Sequence, residues 1–350
     1  RIAQQNAGHA PDHGSAAPEG AGPTELSGLN GLGPPGTHMA DRQYALPMRL
    51  AQSARELEAF HGGVFVPTMG ALHAGHASLI EHAAKLRREL PSQSGRPAPV
   101  VVSIFVNPTQ FNDPKDLERY PRTLEADMRL CEGAGADVVF APSVEEIYPS
   151  GAEAPPAAPH ERALVLPNVA TMPGLEDAHR PGHFAGVCRV VSRLFDLVTP
   201  RLALFGEKDW QQLQVIRAMC AMQGRDGELT IVPSKTVRET GASAGLALSS
   251  RNVFLSPADR IGALSLSKAL CEADSAAKIG EAEAAMSRVL SAAGVQMEYA
   301  VVRDAQTLMP LPAGQGRISP GGPMRALIAA RVGRVRLIDN APWGSASERF

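Results

Sequence analysis

The chain has 350 residues, with 34 Lys and Arg against 36 Asp and Glu for a net charge of −2, and 44% of it is hydrophobic. That describes an enzyme-sized globular protein of two domains or one large one, and it excludes a disulfide-stapled miniprotein. No apolar run is long enough to cross a bilayer, and a near-neutral charge exerts no overall pull on polyanions, so neither a membrane nor a nucleic acid is an expected partner.

Residues 1–38 are half Gly, Ala and Pro, 19 of 38, with Leu only at 26, 29 and 32 and no period of 2 or 3.6. Such a leader cannot bury enough apolar area to offset its ordering entropy and is expected to be disordered or foreign to the fold. It lacks a basic segment followed by an apolar one, so it does not read as a secretory signal, and a cytoplasmic setting is expected. Regular patterning starts just after Met39. Val64–Pro67 reads as a buried strand feeding a helix over 75–90 with Leu79, Ala83 and Leu86 on one face. Val100–Val106 is a continuous apolar run of the kind found in strands covered on both sides, and Asp137–Ala141, Arg201–Phe205 and Leu229–Val232 repeat the theme. Helices are expected at about 122–133, 184–198 and 209–222, which makes residues 39–237 an α/β domain with a doubly wound, Rossmann-like parallel sheet. The Pro-rich stretch Ala152–Pro159 reads as a surface excursion.

Past Leu255 the texture changes to Ala-rich helices at about 258–277 and 280–293 and to strands at 297–303, 325–332 and 334–339, with a Gly- and Pro-rich loop from Pro310 to Pro323. Residues 238–350 therefore read as a smaller α+β domain, with the boundary near Val237. Cys131, Cys188, Cys220 and Cys271 are widely spaced, form no Cys-x-x-Cys pair and fall in helical segments, so they read as small core residues of a reducing compartment.

The segment Pro67-Thr-Met-Gly-Ala-Leu-His73-Ala-Gly-His76 lies between the first strand and the helix it feeds, where a nucleotide site is built. Gly70 and Gly75 permit close backbone approach, the helix start offers N–H donors, and His73 and His76 can reach phosphate oxygens together and steady the charge of a leaving pyrophosphate. A pair of histidines without a role is the ordinary outcome for His-x-x-His in isolation, but the strand, glycine and helix context reverses that preference. Zinc competes as a reading, although helical zinc pairs usually stand four apart with a carboxylate between them and no third ligand follows at matching spacing.

This His-x-Gly-His loop resembles the nucleotidyltransferase superfamily that includes class I aminoacyl-tRNA synthetases. Five further motifs in order narrow it: Ser103-Ile-Phe-Val-Asn-Pro-Thr-Gln-Phe111, Tyr120-Pro-Arg-Thr, His183-Phe-Ala-Gly-Val, Phe205-Gly-Glu-Lys-Asp209 and Leu248-Ser-Ser-Arg-Asn252. Together they resemble the pantoate–β-alanine ligase (pantothenate synthetase) family from about Leu50 to Asn340. The resemblance implies an ATP-dependent condensation of (R)-pantoate with β-alanine through a pantoyl adenylate, releasing AMP and pyrophosphate, in pantothenate and coenzyme A biosynthesis. It implies ATP as substrate, Mg²⁺ as its companion and a homodimer.

By the same resemblance His73, His76, Lys208, Ser249, Ser250 and Arg251 act on the phosphates. Met69, Gly70, Gly206, Asp209, Val237 and Leu248 border ATP. Gln110 and Gln212 hold the pantoate hydroxyls and carboxylate, with Asn107 and Arg180 as further contacts at the pantoate or β-alanine end. The chemistry agrees with these assignments. Lys208 follows a strand end as a compact cation, two hydroxyls and a guanidinium suit a pyrophosphate, and a glutamine amide both donates and accepts. Asp127 is the carboxylate candidate for Mg²⁺.

The chain departs from the family pattern in several places. Ala126 stands where some relatives carry a second acid, Ala74 replaces a common glutamate, Trp210 replaces a tyrosine or phenylalanine, and Thr240–Ala244 is about three residues longer, with Ala244 in place of an aspartate. The smaller domain is expected to close as a lid over ATP and shield a hydrolysable intermediate. Two alternatives stay open at this stage: a nucleotidyltransferase that leaves the nucleotide in its product, and a non-catalytic RNA-binding relative, for which a basic, aromatic-interleaved stripe is missing.

Overall fold

The computed structural model describes residues 47–92, 95–111, 114–152, 164–317 and 322–344. The leader 1–38, the onset of patterning after Met39 and all of the Ala152–Pro159 excursion beyond Ala152 lie outside them.

Six short strands form a parallel sheet: β1 (Arg49–Ala51), β2 (Val64–Thr68), β3 (Val100–Ile104), β4 (Val138–Phe140), β5 (Leu202–Gly206) and β6 (Thr230–Ser234). Around and between them run α1 (Ala54–Leu57), α2 (Ala74–Leu86), α3 (Pro114–Arg119), α4 (Leu124–Ala134), α5 (Val144–Ile147), α6 (Glu176–His179), α7 (His183–Val198) and α8 (Trp210–Met222). Alternation along each strand assigns its side chains to two cores. Val64, Val66, Val100, Val102, Val139 and Leu204 pack with Ile80 of α2 and Cys131 of α4, whereas Phe65, Val101, Val138, Phe140, Ala203 and Phe205 pack with Phe195 of α7 and Leu213 of α8. Helices thus cover both faces, which is why β3 could be a run of valines with no polar side. Phe195 meets Phe65 and Phe205 edge-on at 6.3 and 6.4 Å, an arrangement favoured by the ring quadrupoles.

The strand order is β1-β4-β3-β2-β5-β6. From β2 the chain winds outward through β3 and β4, then returns to lay β5 on the other side of β2. The crevice beyond the carboxyl ends of β2 and β5 is therefore the switch point at which such sheets bind ligands.

A second sheet, antiparallel and ordered β7-β8-β9, follows, built from β7 (Gln296–Asp304), β8 (Met324–Val332) and β9 (Val335–Trp343). Before it come α9 (Pro257–Ala273) and α10 (Ile279–Ala292), which pack on Met324, Ala326, Ile328 and Ala330 of β8 and on Leu337 and Ala341 of β9. The opposite face sends Tyr299, Val301 and Leu327 into the core shared with α7 and α8.

The structure corrects several expectations. The helix after β2 ends at Leu86 and tightens into a 3₁₀ turn over Arg87–Glu89. Ile80 and Ala83 are its fully buried residues, with Leu79 and Leu86 at the margin. Strand β9 runs past the expected 339 to Trp343, because Pro342 sits on an edge strand where a missing donor costs nothing. Cys131, Cys188 and Cys220 are buried as expected, but Cys271 is exposed on α9. The short elements β1, α1, α3, α5 and α6 carry too few residues to show a period.

Candidate active site

Strand β2 ends at Thr68, and the chain must reverse within a few residues to begin α2. Gly70 and Ala71 do this in the left-handed region, at φ of +83° and +50°, a conformation that costs a residue with a Cβ and so requires support. Asp127 of α4 supplies it. Its Oδ2 accepts from the Ala71 N–H at 3.0 Å, and its Oδ1 accepts from the Leu72 N–H at 2.8 Å and the Thr123 hydroxyl at 3.2 Å. Asp127 is 2% exposed. Both of its oxygens hold the turn. Among the described residues no three His, Cys, Asp or Glu side chains gather as metal ligands.

Helix α2 begins with an unusual cap in which both capping side chains are imidazoles. His73 Nδ1 accepts from the Gly75 N–H at 3.1 Å, and His76 Nδ1 accepts from the His73 N–H at 3.3 Å. A ring nitrogen that accepts carries no proton, so each neutral ring bears its hydrogen on Nε2 and keeps that N–H for a ligand. Burial lowers the pKa of both, with the neighbouring Lys208 charge adding to it, and His76 falls to about 3. The pair is therefore neutral and donating at physiological pH. Gly75 makes the cap possible, because a Cβ there would lie 2.9 Å from His73 Cε1.

Around these histidines is a cavity of about 260 Å³ at the switch point. It is lined by Met69, His73, His76, Asn107, Gln110, Arg180, Gly206, Lys208, Asp209, Gln212, Val237, Leu248, Ser249, Ser250 and Arg251, every residue singled out from sequence except Gly70 and Asp127. Those two border an adjoining hollow behind Met69. Lys208 and Asp209 stand on the 3₁₀ turn after β5, and Gln212 on the first turn of α8. The neighbouring Gln211 points away and holds the Glu176 N–H and the Val169 carbonyl.

Asn107 lines the cavity and is also tied into the surrounding chain. It is 1% exposed, its Nδ2 donates to the Gly186 carbonyl at 3.1 Å, and its Oδ1 accepts from the Thr109 N–H and hydroxyl and from the Tyr148 hydroxyl. Its amide therefore shapes the turn that carries Gln110. Ser249–Arg251 follow a ladder closed by the Leu248 N–H on the Val237 carbonyl at 2.9 Å, and Ser249 Oγ caps the next turn by accepting from the Arg251 N–H. The Thr240–Ala244 stretch folds into a compact 3₁₀ turn, tied off by the Gly245 N–H on the Glu239 carbonyl.

Four cations, Arg180, Lys208, Lys235 and Arg251, line this cavity against the single carboxylate of Asp209. Withdrawal from water would raise the Asp209 carboxyl, but Lys208, Arg251 and Arg180 outweigh it and hold it below the usual range. A chain of net charge −2 thus concentrates positive charge where a polyphosphate and a carboxylate could lie together.

Among the titratable residues of the lining, sequence reasoning missed three: Tyr120, His183 and Lys235. Tyr120 and His183 stood inside quoted motifs without an assigned role, and Lys235 follows the end of β6, the same signal that singled out Lys208. His183 is neutral, its pKa lowered to about 3 by burial and by Arg180, and its Nδ1 is buried without a partner.

Residues 46–342 match the family described as Pantoate-beta-alanine ligase. A pantothenate synthetase from a Nocardioides species is 49% identical over 285 residues, 79% of this chain and 77% of its own length. The crystal structure of pantothenate synthetase from Thermus thermophilus superposes with a TM-score of 0.70 at 42% identity, covering 84% of this chain and 99% of that one. The pantoate-β-alanine ligase of Francisella tularensis, complexed with β-γ ATP and β-alanine, superposes with a TM-score of 0.62 at 31% identity, covering 84% and 97%.

Proposed function

The chain belongs to the pantoate–β-alanine ligase family, and from that premise we propose how its cavity joins pantoate to β-alanine with ATP. The observation that carries the reading is the meeting at the β2–β5 switch point of two neutral, Nε2–H-bearing imidazoles, Lys208 and Ser249–Arg251, around one cation-rich cavity.

In the first step a pantoate carboxylate oxygen attacks the α-phosphorus, the bond to pyrophosphate breaks, and pantoyl adenylate forms. Such a transfer needs alignment and charge neutralisation more than a protein nucleophile. His73 and His76 donate to the α-phosphate oxygens, Lys208 bridges toward the leaving group, and Ser249, Ser250 and Arg251 receive the pyrophosphate. Gln110 and Gln212 hold pantoate, while Met69, Gly206, Asp209, Val237 and Leu248 border the nucleotide. In the second step the β-alanine amine attacks the acyl carbon, loses a proton, and AMP departs with the electrons of the acyl C–O bond. Arg180 is the cation placed for a substrate carboxylate.

Mg²⁺ would enter with the ATP substrate, where it would offset phosphate charge with ligands drawn largely from phosphate and water. The smaller 238–350 domain acts as a lid over the 39–237 domain, and small-angle scattering should show compaction with ATP and pantoate. A homodimer, read by light scattering as twice the 36.9 kDa chain mass, and a cytoplasmic setting belong to the same proposal. No helix among the described residues is long and apolar enough to cross a membrane.

The test is mass spectrometry of products from ATP, Mg²⁺ and pantoate, with and without β-alanine. Pantothenate and stoichiometric AMP only when β-alanine is present support the reading. Pantoyl adenylate is the nucleotide-bearing species expected without β-alanine, and an end product that still retains the nucleotide when β-alanine is present overturns the reading.

A further inference from the structure

Strand β9 places two polar residues side by side, Asp339 and Asn340, which are 3% and 4% exposed. Consecutive strand residues face opposite sides, so the two side chains reach different segments. Asn340 pairs in register with Leu327 on the face toward α8, and its Nδ2 donates to the carbonyls of Glu207 at 3.0 Å and Lys208 at 2.8 Å. Its Oδ1 accepts from Arg325 Nε at 2.6 Å. Arg325 lies 3.5 Å over the Trp210 ring and reaches Glu207 Oε2 at 3.1 Å. The backbone of the Gly206–Trp210 turn is thereby gripped by groups from the other sheet, while the Lys208 side chain lines the cavity.

Asp339, on the opposite face, takes Arg238 in a bidentate pair at 2.7 and 3.0 Å. Arg238 also donates to the Gly245 carbonyl at 2.8 Å and bridges to Ala247, two residues before Ser249. Planar fork-to-carboxylate pairing of this kind fixes orientation as well as charge. A third hydrogen bond, from the Asn340 N–H to Asp339 Oδ1 at 2.8 Å, locks the two residues to each other.

We propose that Asp339 and Asn340 are positioning residues for the ligation, fastening the two phosphate-facing segments, the Lys208 turn and the strand leading to Ser249–Arg251, to one strand of the smaller sheet. The proposal rests on the phosphate roles given above to Lys208 and Ser249–Arg251. It makes the separation between those segments a property of β9.

Asn340→Asp isolates the contact, since it keeps the acceptor for Arg325 and removes both donors to the Lys208 turn. The readouts are pantoate-dependent pyrophosphate–ATP exchange, the KM of pantoate and the melting temperature. The expected result is an exchange rate about tenfold lower from two lost neutral hydrogen bonds, an unchanged pantoate KM, and partial rescue in Asn340→Gln. In a Lys208→Ala background Asn340→Asp should cause no further loss, because it acts through that lysine. Arg238→Lys should raise the KM of ATP severalfold with the pantoate KM unmoved. If Asn340→Asp does not fold, Asn340→Ser is read in the same way. An impaired Lys208→Ala beside a fully active Asn340→Asp overturns the positioning role alone, as do losses that multiply in the double variant. A fully active Lys208→Ala overturns the reading of the site and the proposal with it.

Discussion

Replacing Asp127 by asparagine separates its two competing roles. Asn has the same shape, but one accepting oxygen becomes an NH₂ that faces the Ala71 or Leu72 N–H, donor against donor. Losing one charge-assisted hydrogen bond at a site 2% exposed, beside two residues already held in the left-handed region, should cost about 2–4 kcal/mol. With an unfolding entropy of about 2.1 cal/mol/K per residue over roughly 300 ordered residues, that lowers the melting temperature by about 3–6 °C. Calorimetry on Asp127→Asn reads this directly, and a Mg²⁺ titration of turnover at saturating ATP reads the alternative. The expected outcome is a lower melting temperature, a slower enzyme and an unchanged half-saturating Mg²⁺ concentration. An unchanged melting temperature together with a Mg²⁺ requirement raised tenfold would refute the structural role and make Asp127 a metal ligand.

Three further outcomes are expected. His73→Ala and Lys208→Ala should each lower adenylate formation by roughly 10²–10³, the scale of one lost electrostatic contact to a developing charge, read by pantoate-dependent pyrophosphate exchange. Gly75→Ala should slow the same step while leaving the melting temperature nearly unchanged, because its new Cβ would press on the His73 ring 2.9 Å away and break the imidazole cap; a wild-type rate would contradict that geometry. His76 and His183 have folded pKa values lowered to about 3, against about 6.5 in the unfolded chain, so below pH 6.5 the unfolded state binds protons that the folded state refuses. Stability should therefore be full above that pH and fall toward pH 3, by at most about 1.4 kcal/mol per unit for each histidine. Urea midpoints at pH 7.5 and 5.5 measure the slope, which should flatten in His183→Asn.

The sequence made the chemistry legible because the parallel sheet places its ligand residues at strand ends, next to hydrophobic runs that are themselves easy to read. Val64–Pro67 leads to His73, Val100–Val106 to Gln110, and Arg201–Phe205 to Lys208, and each of these residues lines the cavity. Residues whose side chains hold backbone were harder to read. Asp127 and Asn107 carry polar groups beside the site, and only the folded structure shows that those groups also hold the Ala71–Leu72 turn and Gly186. Asp339 and Asn340 were harder still, because their partners lie 101 and 132 residues away and no local pattern encodes such a pairing. The extension of β9 was hidden for a related reason, as Pro342 and two buried polar residues interrupt the alternation that marks a strand.

Activation of pantoate by attack on the α-phosphorus is tested by the fate of one oxygen. With pantoate labelled with ¹⁸O in its carboxylate, turnover with ATP and β-alanine should deliver one labelled oxygen to AMP, because the carboxylate oxygen that joins phosphorus leaves with it when the amine displaces the adenylate. Label appearing in orthophosphate, or absent from AMP, would show that the acyl group is activated elsewhere on the nucleotide and would contradict the account.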